Sequence, residues 1–179
     1  MNHADHVRLL RPGIDPPTGA KPIWADLGAG EGAFTLALAD LLGPGATIYA
    51  VDRDRRALER GAAEITRRYP ATTLVPLAVD FTGPLSLPPL DGLLMANSLH
   101  FVRDKEPLVR RLAGYLKPGG RILLVEYNVD HGNPWVPHPL AFETWATLAA
   151  RAGLVDVALL GRVPSRFLRE IYSAAATRP

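Results

Sequence analysis

The chain contains no cysteine, which excludes a disulfide framework, a thiolate metal site and a cysteine nucleophile. No resident metal is expected, and the lack fits a reducing compartment. A strong charge of either sign is missing too: 20 Lys and Arg stand against 18 Asp and Glu, leaving +2. The arginines are scattered rather than gathered, whereas phosphate backbones need basic residues on one face, so nucleic acid is not an expected partner. No apolar run approaches the length that spans a bilayer, and the opening MNHADHVRLLRPGI lacks the apolar centre of a signal peptide. A soluble, cytoplasmic protein with no membrane partner is therefore expected. Repeats, low-complexity tracts and any large insertion that could build a separate substrate domain are also absent.

What is present is enough for one core. The 179 residues are 47% hydrophobic, which suits a single domain over residues 1–179. Residues 11–22, RPGIDPPTGAKP, hold four prolines and two glycines, so residues 1–22 are expected to form an N-terminal segment with an irregular lead-in. Residues 23–27 are apolar and short, as in a buried strand, and Phe34, Leu38, Leu41 and Leu42 then fall at helical spacing up to Gly43-Pro44-Gly45. The order repeats, with a strand at 47–51 and a helix bearing Leu58, Ala62, Ile65 and Tyr69, closed by Pro70. A parallel sheet with crossover helices follows. The third strand, 73–79, contains Pro76, which cannot donate to a ladder and places this strand at an edge.

A fourth strand is expected at 93–96, then a helix with Leu108, Leu112, Tyr115 and Leu116 that stops at Lys117-Pro118-Gly119-Gly120. A fifth strand covers 122–127. The loop NVDHGNPWVPHP and a helix with Phe142, Trp145, Leu148 and Ala149 inward come next. Segments 155–163 and 170–176 are strand-like, and the short PSRF link between them permits only an antiparallel hairpin.

The stretch IWADLGAGEGAF carries the chemistry. Gly28, Gly30 and Gly32, with Ala33 as the last position, loosely fit the dinucleotide fingerprint, and Asp52 ends the second strand where a ribose-binding acid belongs. Glycines that merely permit a tight turn would look the same. The paired oxygens of Asp52 can accept from both hydroxyls of a ribose, and Gly30 would let a ligand lie against bare backbone. Asp26 discriminates between ligands. Just before the glycines, its carboxylate would repel a pyrophosphate and attract a cation or amino group, although it could also cap loop amides. A nicotinamide dinucleotide needs the pyrophosphate there; a sulfonium nucleoside does not.

The segments ADLGAGEG and YAVDRD resemble the first two signature segments of the class I S-adenosylmethionine-dependent methyltransferases. The likeness extends through VDF, DGLLMANSLHFV and LKPGGRILLVEYN over nearly the whole chain. It implies a Rossmann-like, doubly wound α/β fold with a mostly parallel seven-stranded sheet in the order 3-2-1-4-5-7-6, ending in an antiparallel hairpin. It also implies S-adenosyl-L-methionine as cofactor and a small molecule as acceptor. The cofactor would meet Asp26, Gly28, Ala29, Gly30, Asp52, Arg53 and Asn97, with Asp80 at the adenine amino group and Phe81 packed on the ring. Two departures stand out: Arg53 replaces the apolar residue that often stacks on adenine, and ANSL is not the Asn-Pro-Pro-aromatic motif of enzymes that methylate base or side-chain amines. A nucleic-acid amine is thereby disfavoured as acceptor, and the lack of cysteine disfavours arsenite-type methyltransferases.

Methyl transfer from sulfonium is an in-line displacement, so alignment, with effective molarities on the order of 10⁵–10⁸ M, outranks a general base worth roughly 10²–10⁴. Candidates for that base are His100, His131, His138 and Tyr127, with His100 first because it follows the fourth strand closely; a surface or cap role is the commoner one for a histidine, and for His131 and His138 more so than for His100. The loop 128–139, with Trp135 between prolines, either walls an acceptor pocket or covers the core with its tryptophan. Arg8 or Arg11 could pair a ligand carboxylate, unless the N-terminus is simply frayed. Arg110 and Arg111 are expected on an exposed charged face. A nicotinamide-dependent reductase and a catalytically silent nucleoside-binding partner subunit remain the alternatives to a methyltransferase. Oligomeric state is open.

Overall fold

Seven strands form one sheet in the order β3-β2-β1-β4-β5-β7-β6. They are β1 (Ile23–Leu27), β2 (Thr47–Asp52), β3 (Thr73–Ala78), β4 (Leu90–Ala96), β5 (Leu116–Tyr127), β6 (Val155–Pro164) and β7 (Glu170–Thr177). The first five run parallel, and β7 returns antiparallel beside β5. The computed structural model describes residues 1–14 and 21–179. The remainder of the expected irregular lead-in, 15–20, lies outside the described residues.

The central strands are apolar without alternation because both faces are covered. Ala25, Leu93 and Leu124 point to one side, where α4 (Lys105–Ala113) and α5 (Phe142–Arg151) bring Leu108, Leu112 and Trp145. Trp24, Leu94 and Leu123 point to the other, against α1 (His3–Leu10), α2 (Ala33–Leu42) and α3 (Arg55–Arg68), which bring Leu10, Leu38 and Ile65. Pro76 sits on β3 at the sheet's edge, opposite Ala50, where its missing N–H breaks no ladder.

Three expectations are corrected. The helix after β4 ends at Ala113, not at Leu116. Leu116 already pairs with Leu90, and the register slips between Leu90 and Gly92, so Lys117-Pro118-Gly119-Gly120 is an irregular stretch inside β5 rather than a helix stop. The N-terminus is not frayed. Asn2 and Asp5 form a reciprocal capping box, and Val7, Leu9 and Leu10 are buried. Trp135 does not join the core either: it is exposed, and Val136 and Leu140 of the same loop are buried in its place. No helix among the described residues is long and apolar enough to cross a membrane.

Candidate cofactor and acceptor site

The carboxyl ends of β1, β2 and β4 converge on a cavity of about 370 Å³, within the range of small-molecule sites. Gly28, at the start of the glycine turn from β1 to α2, lines it. Four amides of that turn are spoken for by the protein itself: Gly28 and Ala29 donate to the Val51 carbonyl at 2.8 and 3.0 Å, and Gly32 to that of Ala29 at 2.9 Å. The fourth, Gly30, donates to Asp52 Oδ2 at 2.8 Å. A protein carboxylate thus occupies a place at the turn that a phosphate would need. At φ +55°, Gly30 faces open space, with nothing within 4 Å of where a Cβ would stand.

Asp52 is held on both sides, since Asp54 N–H donates to Oδ1 at 2.9 Å. Asp52 lines the cavity with Gly28 and Arg53. Opposite, Asp80 and Phe81 follow β3. Thr82 donates to Asp80 Oδ1 through its N–H at 2.8 Å and its hydroxyl at 2.7 Å, and these bonds hold the carboxyl below its usual pKa. Asn97 forms part of the third wall. Its backbone is left-handed at φ +53°, and its Oδ1 is buried with no hydrogen-bond partner among the described residues. A buried acceptor left unsatisfied is costly, so the cavity holds a place for a donor. Ser98 ties this loop to β1 by donating to the Leu27 carbonyl at 2.7 Å.

Asp26 lies beneath the turn, 1% exposed, and is not among the lining residues of this cavity; nor are Ala29 and Gly30. The Thr35 hydroxyl donates to its Oδ2 at 2.6 Å. Burial pushes its pKa up to about 7, against the opposing Thr35 hydrogen bond and with Asp52's charge adding to the rise.

His100 is buried, not a surface histidine. Both Glu126 oxygens lie 2.9 Å from its Nδ1, so Nδ1 faces the carboxylate and Nε2 is the ring nitrogen left for proton transfer. Glu126, 0% exposed, also accepts from the backbone N–H of His100 at 3.2 Å and of Tyr127 at 2.8 Å. Sequence reasoning missed Glu126. Its signal was a single acid in the apolar run ILLVEY, since a charge there survives only if paired. His131 is exposed and His138 half-buried, its N–H on the His100 carbonyl at 3.0 Å. Arg8 pairs with Asp5, and neither Arg8 nor Arg11 lines the cavity. Arg110 and Arg111 are exposed, as expected.

Strand order, closing hairpin and the glycine turn together define a Rossmann-like fold of the methyltransferase kind. Residues 25–122 match the model of the family described as methyltransferase domain, over half of the chain, and the chain belongs to that family. No curated protein matches it. Among solved structures, a protein from Nostoc punctiforme PCC 73102 aligns at 19% identity and TM-score 0.75, over 98% of this chain and 56% of that one. YcgJ from Bacillus subtilis aligns at 14% and 0.76, over 98% and 99%. The N-methyltransferase NodS from Bradyrhizobium japonicum WM9, in complex with S-adenosyl-L-homocysteine, aligns at 19% and 0.73, over 99% and 85%. The chain spans just over half the length of the Nostoc protein.

Proposed function

We propose that this chain is an S-adenosylmethionine-dependent methyltransferase for a small-molecule acceptor, working as a single domain in the cytoplasm without nucleic acid. The observation that carries the proposal is Asp52, a carboxylate pinned at the wall of a cavity above a turn whose own amides it helps to satisfy. Such a site accepts from ribose hydroxyls and offers little to a diphosphate. The donor set fits the nucleoside: Asp80 suits an exocyclic amino group, Phe81 a flat ring, and the unpartnered Oδ1 of Asn97 an ammonium or hydroxyl donor. Gly28, Ala29 and Gly30 supply bare backbone, Arg53 stands at the rim, and Asp26, buried beneath the turn, would ionise more readily with a cation bound above it.

S-adenosyl-L-methionine, when bound, supplies a methyl group activated on positively charged sulfur. The protein's own work is to hold the acceptor in line with that group, which is where most of the acceleration lies, and to take a proton where the acceptor must lose one. His100, whose Nδ1 is held by Glu126, would take the second task through Nε2, from a buried position outside the lining of the cavity. Titration calorimetry with S-adenosylhomocysteine and with NADH tests the proposal. Micromolar binding of the former and none of the latter is expected on typical ligand affinities; the reverse would restore the reductase. Nucleoside binding with no label passed from radioactive donor to any metabolite pool would identify a silent subunit.

A further inference from the structure

Aromatic rings from several loops form a continuous arc at the carboxyl end of the sheet. Phe101, on the short turn after β4, lies 4.3 Å from the His100 ring, and His100 lies 6.1 Å from Tyr127 at the end of β5. Tyr127 in turn lies 5.9 Å from Phe167 of the β6–β7 link, and Phe167 is 6.4 Å from Trp135. Three of these rings face solvent: Phe101 is 63% exposed, Trp135 72% and Phe167 49%. Large apolar side chains grouped in the open mark a binding surface. Phe101 also lines the cavity of Asp52, so the arc adjoins the cavity that would hold the methyl donor.

The chemistry at its centre narrows the occupant. Glu126 is wholly buried and its oxygens are taken by His100 and the Tyr127 amide, so the arc presents no free carboxylate from this pair to a cationic amine. Open aromatic faces and edges instead favour a planar ring. An imidazole base is matched to a proton held about as loosely as tyrosine's, near 10, and poorly to that of an aliphatic alcohol.

We propose that this arc is the acceptor seat and that the acceptor is an aryl hydroxyl, with His100 Nε2 as its general base. The inference rests on the methyl-transfer function proposed above. As the aryl oxygen forms its bond to the methyl carbon, its proton passes to Nε2 and on to water. The electron pair of the broken carbon–sulfur bond stays on sulfur, leaving a neutral thioether. Glu126 acts through His100 as a positioning residue, holding the ring and stabilising the imidazolium.

The test uses naphthol, decahydronaphthol and naphthylamine as probes on the full chain with S-adenosylhomocysteine bound. Calorimetry should show naphthol binding, weakened about fivefold or more by Trp135→Ala and by Phe167→Ala, as loss of an aromatic pair implies, with nucleoside affinity unchanged. Both positions are exposed, so these variants do not threaten the core. With labelled donor, naphthol alone should be methylated. His100→Gln should slow this about a hundredfold or more at neutral pH, with recovery at alkaline pH where naphthol is already ionised. Label entering the saturated alcohol or the amine equally well would overturn the assignment, as would naphthol binding indifferent to both aromatic variants. Failure to bind S-adenosylhomocysteine removes the methyl-transfer function itself; nucleoside binding without naphthol binding removes only the acceptor.

Discussion

A carboxyl group shut away from water keeps its proton, and Asp26 is such a group, with a pKa near 7 against an ordinary 3.8. The folded chain therefore binds more protons than the unfolded one between these values. Stability from this residue is fully present below about pH 3.8 and is lost as pH rises through about 7. Asp26→Asn keeps an acceptor for Thr35 and removes the charge, so it should melt several degrees higher at about pH 8, given roughly 2–4 °C per kcal/mol at this chain length. A wild-type advantage at that pH would contradict the assignment. A cation bound near the turn has the opposite preference, because it favours ionised Asp26. Affinity for S-adenosylmethionine should rise from about pH 6 to about pH 8 in the wild type and stay flat in the Asn variant, as calorimetry at each pH would show. Asp52→Ala should weaken S-adenosylhomocysteine by about tenfold or more, about 1.4 kcal/mol, with circular dichroism unchanged, because the amides it frees are those of part-buried Gly30 and exposed Asp54. Asp52 was legible because its position at a strand end after a glycine turn is fixed by local order. Glu126 was not, because its partner is brought to it only by the pairing of β4 with β5.

At the scale of elements, two glycines next to the site do different work. Gly61 of α3 is a close approach: a Cβ there would stand 2.5 Å from the Glu31 carbonyl oxygen, part of the turn's backbone. Gly61→Ala must push α3 off the turn and should cost about 1–3 kcal/mol in urea unfolding. Gly30→Ala meets nothing within 4 Å, so it should lose only the left-handed backbone preference, about 1–2 kcal/mol, and fold. Its methyl group would project into the nucleoside's space, and binding should fall about tenfold or more. Equal affinity in that variant would move the ligand off the turn. The identity of α3 was readable from periodicity, since it buries one face, whereas in α2 only Ala33 and Asp40 are exposed. Lys117-Pro118-Gly119-Gly120 was misread because such residues punctuate helix ends and strand irregularities alike. Helix α1 was missed because eight residues are too few to be helical by propensity; its stability comes from packing on α2 and from the Asn2–Asp5 box, both outside a periodicity test.

For the whole molecule, the two apolar layers are opposite faces of one sheet, and each holds a buried tryptophan: Trp145 in one and Trp24 in the other. Neither layer can melt while the shared strands persist. Thermal unfolding should be one transition, with Trp24→Phe and Trp145→Phe proteins reporting the midpoint that circular dichroism gives for each. Two separated midpoints would divide the chain. In the sheet, Pro76 marked one rim and PSRF the closing hairpin, while the order of the strands between them was legible only through the resemblance to the methyltransferases. The rims also bear on how copies of the chain meet. One is β3, which Pro76 deprives of a donor midway; the other is β6, whose pairing with β7 slips twice and whose Asp156 turns at φ +51°. Unbroken, flat margins recruit strands from other molecules, and kinked or donor-poor ones do not. This chain can thus be concentrated without its exposed margins seeding fibres.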